Sequence, residues 1–93
     1  MSTAEERRWY AAVHTIDCCV ICHTFGIQCA HRNEGKGMGL KTKPWMTAAL
    51  CPSCHFEVDS GRTLDREHRR ALMDRAIVLT HARLIERGLL RLA

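Results

Sequence analysis

Two Cys-x-x-Cys pairs, Cys19-Val-Ile-Cys22 and Cys51-Pro-Ser-Cys54, restrict this chain's folding options more than any other feature. Two residues between thiols let both sulfurs turn toward one tetrahedral ion, and two such pairs complete a four-thiolate zinc site. A chain of 93 residues buries only a modest core and gains most from such a staple. The segment between the pairs, residues 23–50, exceeds the spacing of a zinc ribbon and has room for two strands and a loop. A helix following the second pair then gives an α+β, zinc-stapled treble-clef shape.

Residues 1–93 read as a single domain. The opening MSTAEERRWY is charged and has no apolar signal core, and no stretch approaches the roughly 20 apolar residues of a membrane span. The expectation is a cytoplasmic chain with no membrane partner, where reduced thiols bind metal rather than pair as disulfides. Of the six cysteines, Cys18 and Cys29 remain. Cys18 competes with Cys19 as a ligand at a poorer spacing from Cys22, and Cys29 reads as a small buried strand residue. A rival lies in Cys22-His23 and Cys54-His55, each literally a c-type haem attachment motif.

The local pattern predicts the elements. Thr3-Ala-Glu-Glu6 fits a capping box for a helix running to about His14, with Trp9, Ala12 and Val13 on its apolar side. Residues 16–23 form a knuckle turn. Residues 26–32 form a short strand with Ile27, Cys29 and His31 on one face. Residues 33–44 form a loop with Gly35, Gly37 and Gly39 at alternate positions, and residues 45–50 a second strand. Pro52 opens a helix that runs to Ser60 and stops at Gly61. A last helix starts near Thr63 or Asp65 and ends at Gly88, with Leu72, Met73, Ala76, Ile77, Leu84 and Ile85 as its core stripe. These are the flanking N- and C-terminal helices.

Net charge is +4, from 14 basic and 10 acidic residues, which permits nucleic-acid binding without arguing for it. The distribution says more. Arg32, Lys36, Lys41 and Lys43 face only Glu34 within residues 32–43. Glycines let backbone N–H groups approach phosphates, and Lys36, Lys41 and Lys43 add charge for sequence-independent phosphate contacts. The competing reading is a surface loop with solvated lysines.

Three further residues stand where the zinc frame would place them. His31 ends the first strand, His55 follows the last cysteine, and Asp59 lies one helical turn on from His55. Phosphodiester hydrolysis needs a base to activate water and a divalent cation at the scissile phosphate. A histidine with its ordinary pKa near neutral suits the first task, so His31 is the candidate base. His55 with Asp59 suits the second, with the strand His and helix His expected to face one ion-sized gap. The plainer readings are a hydrogen-bonded strand histidine, a histidine packed beside the zinc, and a solvated carboxylate or a partner to Arg62. His14, His23, His68 and His81 show no partner pattern.

Cys29-Ala-His31-Arg32, the loop Gly35-Lys-Gly-Met-Gly-Leu-Lys41, and Leu50-Cys-Pro-Ser-Cys-His55 with Asp59 resemble the HNH (ββα-metal) endonuclease superfamily. The likeness is greatest to the small prophage-encoded nucleases of the YbcO-like group, and the segment is also similar to the nuclease domain of the phage RecA-dependent nuclease Ref. It spans about residues 17–62. The resemblance implies a metal-dependent DNA endonuclease acting in phage or prophage DNA processing or recombination. It makes His31 the general base, His55 the helix metal ligand, and Asp59 the residue where relatives carry a second His or Asp. The four paired cysteines become the structural zinc ligands, Mg²⁺ or Mn²⁺ the catalytic metal, DNA the substrate, and a recombinase filament a partner. Two departures stand out. The only asparagine, Asn33, is not where the family's base-orienting Asn lies, and Ala30 occupies a position where many members supply an acidic ligand. A non-catalytic zinc module binding nucleic acid or protein is the alternative, and a cytochrome the third reading.

Overall fold

The computed structural model describes residues 3–32, 43–60 and 63–90. The order is α1 (Ala4–His14), β1 (Gln28–His31), β2 (Thr47–Leu50), α2 (Pro52–Ser60) and α3 (Arg66–Glu86), an α+β arrangement of three helices and one two-stranded sheet. No helix among the described residues is long and apolar enough to cross a membrane.

Local chemistry sets the helix ends. Thr3 caps α1: its side-chain oxygen accepts the Glu6 N–H at 3.1 Å. Asp65 rather than Thr63 caps α3, its carboxylate accepting the His68 N–H at 2.8 Å. That backbone bond, reinforced by the His68 ring, holds the Asp65 carboxyl below its ordinary pKa. At the far end Gly88 takes φ 73°, Gly88 N–H bonds Ile85 O at 3.0 Å, and Leu89 N–H bonds Leu84 O at 2.9 Å. This is the Schellman closure that only a residue free to adopt positive φ makes cheaply.

Both strands are shorter than expected. Gly26, at φ 96°, closes the knuckle through its N–H to Asp17 O at 2.8 Å, so β1 begins two residues later. Trp45 belongs to a turn in which Met46 N–H bonds Lys43 O at 2.9 Å, with Pro44 favouring that bend. The strands pair antiparallel, Gln28 with Leu50 and His31 with Thr47 at the ends of the register.

All four residues of β2 are buried, because the strand is covered on both faces and along its open edge. Trp9 Nε1–H of α1 donates to Thr47 Oγ1 at 2.8 Å. Along the edge, Ala49 O accepts Val20 N–H from the knuckle at 3.1 Å, and Ala49 N–H donates to Thr80 Oγ1 of α3, also at 3.1 Å. Val13, Ile16, Leu50, Met73, Ala76, Ile77 and Leu84 lead one core cluster that includes Cys19 and Cys51. Of the expected α3 stripe, Leu72 is half-buried and Ile85 is 46% exposed. Ile85 lies one residue past Leu84, on the rim of the buried face. The buried polar residue on α3 is Thr80, whose hydroxyl donates to Ala76 O at 2.8 Å while accepting from Ala49.

Thr80→Val keeps the shape and removes the acceptor, leaving Ala49 N–H buried and unpaired. The expected loss is about 1–3 kcal/mol of stability, read by denaturant unfolding. A midpoint unchanged from wild type would contradict this role for Thr80.

Candidate metal centre

The site is built from two turns. In the first, Cys19 N–H bonds Thr24 O and His23 N–H bonds Cys19 O, both at 2.9 Å, while Cys18 and Phe25 form an antiparallel bridge. His23 sits at φ 65°, the left-handed conformation that folds the knuckle back on itself. In the second, Cys51 ends β2 and Pro52 starts α2, so Cys54 lies in the first helical turn. Cys54 N–H points at Cys51 Sγ at 3.4 Å, and His55 N–H bonds Cys51 O at 2.9 Å.

The docking of Val20 on Ala49 brings these turns together. The four sulfurs of Cys19, Cys22, Cys51 and Cys54 lie within 4.8 Å of one another. Cys22 Sγ and Cys51 Sγ are 3.5 Å apart. A tetrahedron with Zn–S bonds near 2.3 Å has edges of roughly 3.8 Å, whereas a disulfide would need about 2.05 Å. All six cysteines are free thiols. The cluster can therefore hold a metal ion such as zinc, and Cys19 rather than Cys18 belongs to it.

The thiols' protonation follows from their crowding. The Thr24 hydroxyl, 3.1 Å from Sγ, together with the Thr24 backbone and Cys51, pulls the Cys22 thiol down to about 6. Burial, reinforced by the neighbouring sulfurs Cys19, Cys22 and Cys51, pushes Cys54 up. Four sulfurs in one small volume cannot all be thiolates unless a cation is shared among them, and a divalent ion supplies that charge. Of the two leftover cysteines, Cys18 is exposed, and Cys29 is half-buried with its thiol raised by burial.

The same convergence removes the haem reading. Two Cys-x-x-Cys-His motifs would each attach a separate macrocycle, and thiols from both pairs meeting in one cluster leave no room for two.

Beside the cluster, His55 and Asp59 occupy successive turns of α2, with His55 Nε2 3.6 Å from Asp59 Oδ2. His55 Nδ1 is 2.8 Å from Gln28 Oε1, which ties α2 to β1. His31 stands at the other end of β1 against α1. Its Nε2 is 3.1 Å from Tyr10 Oη, and the two rings meet edge-on with centroids 5.5 Å apart. Gln28 and His31 are three residues apart on a strand, so their side chains leave opposite faces. The expected face-to-face pairing of His31 and His55 is thus not what β1 builds. Ala30 and Gln28 share the face that meets His55, and His31 is turned to Tyr10. Among the described residues, the four cysteines are the one group of three or more His, Cys, Asp or Glu side chains whose ligand atoms converge.

Lys43 lies 5.9 Å from the centre of the half-exposed Trp45 ring. Lys36, Lys41, Asn33, Gly61 and the glycines of the basic loop lie outside the described residues. Arg32 pairs with Asp74 of α3 at 3.4 Å. His81 and His68, which had no pattern in the sequence, prove structural. His81 Nε2 donates to Trp45 O at 2.7 Å and its ring meets Trp9 edge-on, while His68 joins the Asp65 cap. No protein-family model, curated protein or solved structure matches this chain.

Proposed function

We propose that this chain is a zinc-stapled, treble-clef nuclease domain of the HNH kind, hydrolysing phosphodiester bonds in DNA with a second, divalent metal. The observation that carries the reading is the His55–Asp59 pair, 3.6 Å apart and opening directly from the four-cysteine cluster. The order of knuckle, two strands and helix supports the treble clef. Four structural thiolates at the base of α2 leave no open position for chemistry, so catalysis falls to neighbours.

His55 Nε2 and Asp59 Oδ2, 3.6 Å apart, would supply two ligands to a divalent ion, with waters and the substrate phosphate supplying the others. A Mg²⁺ or Mn²⁺ ion held there would stabilise charge on the scissile phosphate and the leaving oxygen. His31, one residue past Ala30, would take the proton from the attacking water. A Tyr10 oxygen accepting from His31 Nε2 would hold the ring and supply the orientation for which the sequence has no asparagine at the family's usual position. A base and a cation that act on one phosphate must both reach it, and His31 leaves the face of β1 opposite the one that meets His55, so this assignment requires the end of β1 to rearrange when DNA binds.

Lys36, Lys41 and Lys43 are assigned to the nucleic-acid backbone. Replacing all three with Ala should weaken DNA binding for every sequence alike. It should flatten the log–log salt dependence by about 0.9 for each duplex phosphate that is no longer neutralised. An unchanged salt slope would return them to solvated surface. A phage or prophage recombination role, and a recombinase filament as partner, extend the same resemblance.

The experiment is incubation of purified protein with plasmid and with single-stranded DNA in Mg²⁺, Mn²⁺ or EDTA. Metal-dependent cutting is expected. No cutting under any of these conditions, with or without a recombinase filament, favours a non-catalytic zinc module instead.

A further inference from the structure

The hydrogen bond between Gln28 and His55 links two residues that are 27 apart in sequence and lie on different elements. An amide oxygen has lone pairs and no proton, so at 2.8 Å from Oε1 the His55 Nδ1 is the donor. The proton of the ring is then committed to Nδ1. The lone pair is left on Nε2, and that nitrogen faces Asp59 Oδ2 at 3.6 Å. A cation placed between Nε2 and Oδ2, like a proton on Nε2, would make that contact attractive. The geometry points to Gln28 as the positioning residue that holds His55 in the Nδ1–H tautomer and presents Nε2, with Asp59, to a divalent cation.

The physical need is specific. A free imidazole exchanges its proton between the two nitrogens and rotates about its side-chain bonds. A metal site on a helix of nine residues with no buried side chain has little packing to stop either motion. Gln28 supplies the restraint from β1, and β1 is itself fixed by its pairing to the buried β2. Partners of this kind set both tautomer and ring direction, and their removal costs about 10–100-fold in metal affinity. Ala30, next along the same face of β1, brings no ligand of its own. The cation seat therefore depends on how well two residues are aimed.

This inference rests on the nuclease reading for the purpose of the cation, and the test separates the two. Zinc-loaded, ¹⁵N-labelled protein is examined by NMR for the tautomer of His55 without added metal, then titrated with Mn²⁺ while broadening of the His55 ring signals is followed. The variants are Gln28→Leu, similar in length with no acceptor, and Gln28→Glu, which restores one. Gln28 is exposed, and backbone shift dispersion with retained zinc verifies that each variant is folded. The expected result is Nδ1–H in wild type and Gln28→Glu, disappearance of that preference in Gln28→Leu, and about 10–100-fold weaker Mn²⁺ binding in Gln28→Leu alone. An Nε2–H tautomer in wild type would overturn the inference. So would equal Mn²⁺ affinity in wild type and Gln28→Leu, and in both cases Mn²⁺ binding by the wild type leaves the nuclease reading standing. Absence of Mn²⁺ binding at His55 in wild type, together with absence of DNA cutting, would remove both.

Discussion

Cys51→Ser should leave a chain that neither binds zinc nor folds. Cys51 is 3% exposed, sits between β2 and α2, and receives the Cys54 N–H on its sulfur. Serine is nearly the same size, but its hydroxyl is a poor ligand for a thiolate site, and three sulfurs remain crowded without their ion. Structural zinc of this type contributes about 10–16 kcal/mol of binding free energy. That is as large as the whole net stability of an ordinary domain, about 5–15 kcal/mol. Metal analysis should find one zinc per wild-type chain and none in the variant. Circular dichroism should show loss of helix, and a strong chelator should unfold the wild type. A Cys51→Ser chain that melts cooperatively at the wild-type temperature without metal would show that the hydrophobic core suffices and the cluster is incidental.

His31→Ala is expected to lower DNA cutting by about 10²–10⁴-fold, the usual cost of losing a general base. The substitution also removes the Tyr10 hydrogen bond, so stability must be checked separately. His31 lies at the end of a strand that is otherwise anchored by Ala30, 0% exposed, and by the β2 ladder. Zinc content and helix signal should therefore match wild type. Tyr10→Phe makes a finer probe. It keeps the ring packing and deletes the hydroxyl, so a drop in cutting with an intact fold would assign orientation of His31 to that oxygen. Cutting that survives His31→Ala would move the base elsewhere.

Features that depend on a few neighbouring residues were legible in the sequence. The two Cys-x-x-Cys pairs, the Thr3 cap, Pro52 at the start of α2 and Gly88 past the end of α3 all express local rules, and each stands where its pattern put it. The strand limits were less legible because Gly26 and Pro44 take part in turns closed by partners elsewhere in the chain or nearby. What remained hidden is long-range. Thr80 reads as a polar break in an apolar stripe until Ala49 presents an unpaired N–H to it. Trp9 reads as core until its indole finds Thr47. The pairings Gln28–His55 and Tyr10–His31 follow from which face of a four-residue strand meets which helix, and alternation alone does not specify that.

Catalysis by a second metal at His55 and Asp59 is the central claim, and one measurement bears on it most directly. Rates of plasmid and single-stranded DNA cutting in Mn²⁺ are compared between wild type and His55→Ala, both purified identically and matched for one structural zinc per chain. The prediction is cutting by the wild type that EDTA stops, and a loss of at least about 10²-fold in the variant, with the fold unchanged. Equal rates in the two proteins would contradict the claim and trace the activity to a contaminant or to another part of the chain.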